Sequence, residues 1–273
     1  MQTHTTKAVK FENEARQTVH DTLTVEAPLQ ISINSAPFTI TMRTPGADTE
    51  LVTGLLFTED ILRDPSCYQL QPRLDPRRKI PYMINIIGDT PATGNGALNE
   101  RSILSVSSCG ICGKQTLADL NIRGGPLKTR EVLDISGLGG MFRNMHDRQT
   151  LFQQSGGSHA AGAFALSGDM LAVFEDIGRH NAVDKVIGAL VRAGELSRAH
   201  CLLVSGRVSF EIVTKTFMAG IPVLAAVSAP SSMAVETADA LGITLIAFCR
   251  DGKATVYTHT SRIIEGNREC QKI

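Results

Sequence analysis

Apolar and polar positions alternate clearly in Pro28-Leu29-Gln30-Ile31-Ser32-Ile33 and again in Phe38-Thr39-Ile40-Thr41-Met42, with turn chemistry at Asn34-Ser35-Ala36-Pro37 between them. This pattern predicts a β-hairpin. The period then becomes helical: Leu51, Val52, Leu55, Leu56, Ile61 and Leu62 fall on one stripe, with Asp48 placed to cap the helix and Pro65 to end it. A charged connector from Pro72 to Lys79 leads to a strand at Tyr82–Ile87 and a loop at Thr90–Gly96, and a flap is expected around 90–99. Ile103–Ser108 alternates as a half-buried strand does, and Lys114–Leu120 can open a helix. A helix is expected after Asp134, running to about Gln154 and broken by Ser155-Gly156-Gly157-Ser158.

From Ala160 onward short apolar runs alternate with amphipathic stretches. They predict a hairpin at Ser167-Gly168-Asp169, helices over 181–194, 209–219 and 233–241, and strands over 201–205, 223–228 and 243–249. Such a βαβαβ order implies a largely parallel sheet in an α/β fold, covered by helices on both faces. Asp251-Gly252 then predicts a tight hairpin into a last, antiparallel strand. Residues 1–24 are polar with no clear period and are expected to form a poorly ordered tail. The remainder divides into a smaller mixed α+β part, 25–120, and an α/β part, 121–273.

Composition narrows the class. In 273 residues, 42% hydrophobic content suits an ordinary core-former, and 27 basic against 27 acidic side chains give none of the excess charge of a general nucleic-acid or membrane binder. The polar start has no apolar segment of the secretory kind and no run is long enough to span a bilayer, so a cytoplasmic protein is expected. Six irregularly spaced cysteines, at 67, 109, 112, 201, 249 and 270, are expected to be reduced, and Cys201 reads as a small buried hydrophobe.

The candidate chemistry begins at Ser107-Ser108-Cys109-Gly110-Ile111-Cys112-Gly113-Lys114. This spacing suits half of a zinc site, a dithiol couple or a nucleophilic thiol. A strand-to-helix junction with Lys114 beside it favours thiolate. In a parallel sheet, ligands sit beyond the carboxyl ends of the strands. Three loops there, Glu175–Asn181, Ser205–Ser209 and Ser228–Ser232, combine helix starts, glycines, hydroxyls and Arg179 and Arg207, while Arg250 and Lys253 flank the next turn. Phosphate-bearing ligands match that set, although serine and asparagine also cap helices without any ligand. His180 is open to three roles: base, phosphate donor or cap. Ser158-His159-Ala160-Ala161 invites comparison with the His-x-Glu of zinc deaminases, but Ala161 stands in the glutamate position, which argues against deamination.

Cys109-Gly110-Ile111-Cys112-Gly113, Gly156-Gly157-Ser158-His159-Ala160-Ala161, Glu175–Lys185, Ser205–Glu211 and Gly220–Ser232 together resemble the formate dehydrogenase accessory sulfurtransferase family, FdhD. The resemblance implies a cytidine-deaminase-like α/β fold, usually as a homodimer. It implies sulfur transfer from a cysteine desulfurase to bis-molybdopterin guanine dinucleotide, the molybdenum cofactor, which serves formate dehydrogenase. By the same resemblance Cys109 would carry the persulfide, Cys112 would assist or relay it, and Phe248, Cys249, Arg250, Asp251, Gly252 and Lys253 would contact the cofactor, with no permanently bound metal. Arg179, His180, Gly206, Arg207, Ser228 and Ser231 are the loop residues expected to join that contact. Two other readings remain open from the residues: a zinc-stabilised nucleotide-binding module without catalysis, in which Cys109, Cys112 and His159 hold the metal, and a thiol-disulfide oxidoreductase cycling Cys109 with Cys112.

Overall fold

The computed structural model describes residues 2–88 and 125–266. The expected strand near 103–108, the helix after Lys114, the flap near 90–99 and both Cys109 and Cys112 lie outside these residues.

The stretch 1–24 departs from the expected tail. Strands β1 (Thr3–Glu12) and β2 (Ala15–Thr24) pair antiparallel along their whole length. Asn13 and Glu14 take positive φ between them, as a two-residue hairpin turn requires. Most of the ribbon is exposed, so no core selects apolar positions, and alternation is missing from its sequence. Its base is tied down where Gln2 Nε2 donates to the Pro45 carbonyl at 3.0 Å and the Thr24 and Ser155 hydroxyls meet at 2.6 Å.

The predicted hairpin is present as β3 (Ala27–Ile33) and β4 (Ala36–Arg43). Helix α1 (Asp48–Thr58) follows, then β5 (Tyr68–Leu74) and β6 (Pro81–Gly88), and the four strands form a sheet in the order β4-β3-β6-β5. Leu29, Ile31, Ile84 and Ile86 point from this sheet onto Leu51, Val52 and Leu56 of α1. Helix α1 is shorter than its apolar stripe suggests. After Thr58 the chain turns through Asp60 at φ 56°, and Ile61 and Leu62 donate back to the Leu56 carbonyl, so they join the core from outside the helix. Asp48 lies inside the first turn rather than capping it, because its carboxylate pairs with buried Arg43. The connector expected from Pro72 begins inside strand β5, whose last three residues it includes; at the edge of the sheet the missing Pro72 N–H is tolerated.

The second unit begins with the short β7 (Leu133–Asp134) and continues through α2 (Ile135–Asp147), α3 (Thr150–Ser155), β8 (His159–Phe164), β9 (Met170–Asp176), α4 (Arg179–Ala193), β10 (Cys201–Val204), α5 (Phe210–Met218), β11 (Val223–Ala226), α6 (Ser232–Ala240), β12 (Thr244–Arg250) and β13 (Lys253–Val256), ending at β14 (Ile263–Ile264). The single helix expected up to Gln154 is therefore two. Six strands form one sheet in the order β13-β12-β11-β10-β8-β9, with β10, β11 and β12 parallel. Alternate residues feed opposite faces. Leu202, Val204, Leu224, Ala226 and Leu245 pack under α4, α5 and α6, whereas Cys201, Leu203, Val223, Ala225 and Ile246 pack on α2. The result is the expected three-layer α/β arrangement.

The two units meet where α1 crosses α4, and the crossing depends on two glycines. A Cβ on Gly188 would lie 1.9 Å from the Glu50 carbonyl oxygen, and one on Gly54 would lie 1.9 Å from that of Asp184. Polar groups seal the same junction. Lys215 Nζ lies 2.9 Å from both carboxylate oxygens of Asp184 and from the Thr58 hydroxyl. Desolvation works against this ammonium, but Asp184 and Glu59 outweigh it and hold Lys215 above the ordinary lysine range.

Candidate functional site: the carboxyl edge of the six-stranded sheet

Strand directions bring the candidate residues to one edge. Because β10, β11 and β12 run parallel, the loops at 205–209 and 227–231 and the turn after Arg250 leave from the same side. Strand β8 runs antiparallel to β10 and β9 antiparallel to β8, so His159 at the start of β8 sits opposite Asp176 at the end of β9, again on this edge. The loops are laced together: Val208 N–H donates to the Ala229 carbonyl at 3.1 Å and Ser231 N–H to that of Val208 at 2.9 Å. Phe248 N–H reaches the Ser228 carbonyl at 3.4 Å, which joins the third loop to the first two.

The string Glu175–Lys185, the longest part of the family resemblance, turns out to be mainly an internal strut. Both Glu175 carboxylate oxygens accept backbone N–H groups at the start of α3, from Leu151 at 2.8 Å and Phe152 at 2.7 Å. Asp176 is buried and accepts from the N–H groups of Thr44 and Gly178 and from the Asn181 amide, and pairs with Lys185 at 2.7 Å. Asn181 also donates to the Met42 carbonyl, and Lys185 to that of Thr44. These bonds bind β4 and the loop after it to the large sheet. Arg179 and His180 remain beside the loops.

His180 is buried, with Nε2 3.4 Å from the Ser209 hydroxyl and 4.0 Å from the Glu211 carboxylate. Burial would raise the Glu211 carboxyl, but the Ser209 hydroxyl, its own backbone N–H, and His180 and Arg179 outweigh it and hold Glu211 below the ordinary glutamate range. Gly206 is buried beside His159 and Arg179. Arg207, Ser231, Phe248, Arg250, Asp251, Gly252 and Lys253 are exposed, and Ser228 is partly so. Ser231 also accepts the Ala234 N–H at 3.2 Å and so caps α6, the ligand-free role open to any such serine.

Phe248 and Asp251 take positive φ, at 55° and 53°, and the pairing of β12 with β13 shifts register between Ala247 and Arg250. A bulky residue in this region is strained, and here the bulge turns the Phe248 ring out at the edge. Cys249 points the other way. Its thiol lies in the apolar cluster with Leu133, Leu138 and Met141 and is pushed up to about 11 by burial, so any contact it makes with a ligand at the edge falls to its backbone. Cys201 is likewise pushed up to about 12, as expected of a buried hydrophobe.

His159 belongs to the Gly156–Ala161 motif and is a metal ligand in the zinc-module alternative. Among the described residues no group of three or more His, Cys, Asp or Glu side chains is placed to hold a metal ion, and no helix is long and apolar enough to cross a membrane. The charges that act on His159 are mainly basic: Arg179, which shares Gly206 with it, and Arg207, the next residue in that loop, against its register partner Asp176. Burial, then Arg179 and Arg207 against the opposing Asp176, holds its imidazole below the ordinary histidine range.

The fold and this edge thus define a three-layer α/β protein with a smaller four-stranded unit clamped to it and a basic, hydroxyl-rich strand edge. The FdhD/NarQ family model matches residues 24–264, and the chain belongs to that family. A sulfur carrier protein FdhD from Mycolicibacterium paratuberculosis is 43% identical over 250 residues, covering 89% of this chain and 92% of its own. One from Sulfolobus acidocaldarius is 37% identical over 264 residues, covering 96% and 99%. A crystal structure from Desulfotalea psychrophila, described as that of a candidate formate dehydrogenase accessory protein, shares the fold with TM-score 0.76 at 22% identity, covering 97% of this chain and 100% of its own. The family resemblance and the α/β fold read from the sequence are borne out.

Proposed function

We propose that this chain is a sulfur carrier that accepts sulfur from a cysteine desulfurase as a persulfide on Cys109 and, with Cys112 assisting, passes it to bis-molybdopterin guanine dinucleotide for formate dehydrogenase. The observation that carries this reading is the family match over residues 24–264, with Cys109-Gly110-Ile111-Cys112 inside it and relatives named sulfur carrier proteins. In the loading step the Cys109 thiolate attacks the outer sulfur of the donor persulfide. A new S–S bond forms at Cys109, the donor's S–S bond breaks, and the donor leaves as a thiolate with no net oxidation.

The cofactor is cargo here, and its guanine nucleotides and pyrophosphates suit the edge. Arg179 and Arg207 form no ion pair with a carboxylate among the described residues, and both can meet phosphate oxygens. His180, Gly206, Ser228, Ser231 and the segment Phe248–Lys253 complete the contact in this reading. The protein would act in the cytoplasm as a homodimer, with the desulfurase and formate dehydrogenase as partners and no nucleic acid or membrane.

Incubation with a cysteine desulfurase and cysteine tests it. Intact mass should rise by one sulfur atom, reversibly with dithiothreitol, in the wild-type protein and not in Cys109→Ala. Normal loading of that variant overturns the assignment of Cys109. Persistence of formate dehydrogenase maturation with Cys112→Ser rules out a dithiol cycle.

A further inference from the structure

His159 is half-buried at the start of β8, at the carboxyl edge of the sheet. Asp176 is its register partner at the end of β9, the Arg179 stem from the start of α4 shares Gly206 with it, and Arg207 follows Gly206 in the loop after β10, where its charge acts on the imidazole. Gly206 forms the floor between them. A Cβ there would stand 3.4 Å from His159 Nδ1 and 3.5 Å from Arg179 Cδ, so imidazole and guanidinium stem converge over the same backbone atom.

The surrounding carboxylates are committed elsewhere. Asp176 serves Lys185, the Asn181 amide and two backbone N–H groups. Glu175 holds the start of α3 and the Ser158 hydroxyl. Glu211 is held by Ser209 and its own N–H, with His180 beside it. Among the described residues Arg179 Nε is buried without an acceptor, an arrangement that leaves a donor desolvated without return. One anion would satisfy that donor, neutralise two arginines and make a charged imidazole favourable between them.

We propose that His159, Arg179 and Arg207 form an anion subsite around Gly206 that takes a pyrophosphate diester, and that His159 binds a proton together with the anion. The ligand class rests on the function proposed above; the proton coupling does not. Without the anion, burial and the two arginines disfavour the charged imidazole. Two fixed negative charges within hydrogen-bond reach reverse that balance, one proton being taken from solvent on binding and returned on release.

Diguanosine pyrophosphate is a suitable probe, since its diester charges do not titrate near neutrality. Calorimetry of the full chain at pH 7 in PIPES and in Tris, whose ionisation enthalpies differ, counts the protons. A clear fraction of one proton should be taken up by wild type, with affinity rising by up to tenfold for each pH unit between 8 and 6. His159→Asn and His159→Gln should bind without uptake. Arg207→Ala should bind at least tenfold more weakly and keep the uptake. Near-UV circular dichroism checks that each variant is folded, and two histidine variants guard against loss of one. The inference is overturned if wild type fails to bind the probe, binds it without uptake, or shares its uptake with both histidine variants. Persulfide loading of Cys109, measured separately by mass, shows whether the sulfur-carrier reading stands or falls independently.

Discussion

Gly188→Ala isolates the junction of the two units. In the middle of an ordinary helix this change stabilises by about 0.8–1 kcal/mol, because alanine has the better helix propensity. Here the new methyl would lie 1.9 Å from the Glu50 carbonyl oxygen and 2.6 Å from the Gly54 nitrogen. Carbon contacts are comfortable from about 3.5 Å, so the first is short by roughly 1.5 Å. Both obstacles are backbone atoms of α1, which cannot rotate aside as a side chain does. The helices must separate, which loosens Asp184, Thr58 and Lys215 as well. Overpacking usually costs about 1–3 kcal/mol, and rigid obstacles place this case at the upper end. Set against the propensity gain, a net loss of about 2 kcal/mol or more is expected, or a melting temperature lower by roughly 4–8 °C in a chain of this size. Thermal and urea unfolding followed by far-UV circular dichroism would measure it. The control is Gly139→Ala on the exposed face of α2, where the nearest atom is a movable Arg143 nitrogen at 3.6 Å; this variant should melt a few degrees higher. Gly54→Ala should resemble Gly188→Ala, and the double variant should lose less than the sum because one separation relieves both contacts. If Gly188→Ala is as stable as wild type, the close crossing of α1 and α4 is wrong.

Lys215→Met leaves Asp184 buried without its cation and should cost about 3–5 kcal/mol in urea unfolding, most of it recovered in Lys215→Met combined with Asp184→Leu. Stability should hold above about pH 7 and fall progressively below about 6.5, the ordinary histidine value. The sign follows from His159 and His200, both kept below that value chiefly by burial: the unfolded chain takes up protons first and is favoured by acid. Melting temperatures at pH 7.5, 6.5 and 5.5 check this, and His159→Asn should flatten part of the slope. Iodoacetamide at pH 8 should modify exposed Cys67 in the native protein, while Cys201 and Cys249, pushed up to about 12 and about 11, should react only after unfolding, as peptide mass spectrometry would show.

Strands buried on one or both faces, and helices with one buried stripe, were legible because burial against a single neighbour leaves a period in the residues. That is why the hairpin of β3 and β4, the strands from β8 to β12, and the Asp251-Gly252 turn could be read directly. The ribbon of β1 and β2 left no period because almost nothing covers it. Strand β5 was concealed by Pro72, which only an edge position permits. Within the candidate site, the gathering of three loops and the Arg250–Lys253 turn at one edge followed from strand direction alone. The roles of individual side chains did not. Glu175 caps a helix more than 20 residues earlier in the chain, at Leu151 and Phe152, and Asp176 and Lys185 bind a loop near Thr44.

The amino-acid sequence by itself determined the fold class, the family and the edge at which to look, since local periodicity, turn chemistry and the long motif are all carried by neighbouring residues. Tertiary structure alone decided that the most specific motif is largely a brace, that Cys249 faces the core, that Gly54 and Gly188 let two helices touch, and that His159 and Arg179 converge on Gly206. Each of these depends on groups far apart in the chain meeting at van der Waals or hydrogen-bond distance, and such meetings leave no spacing in the sequence.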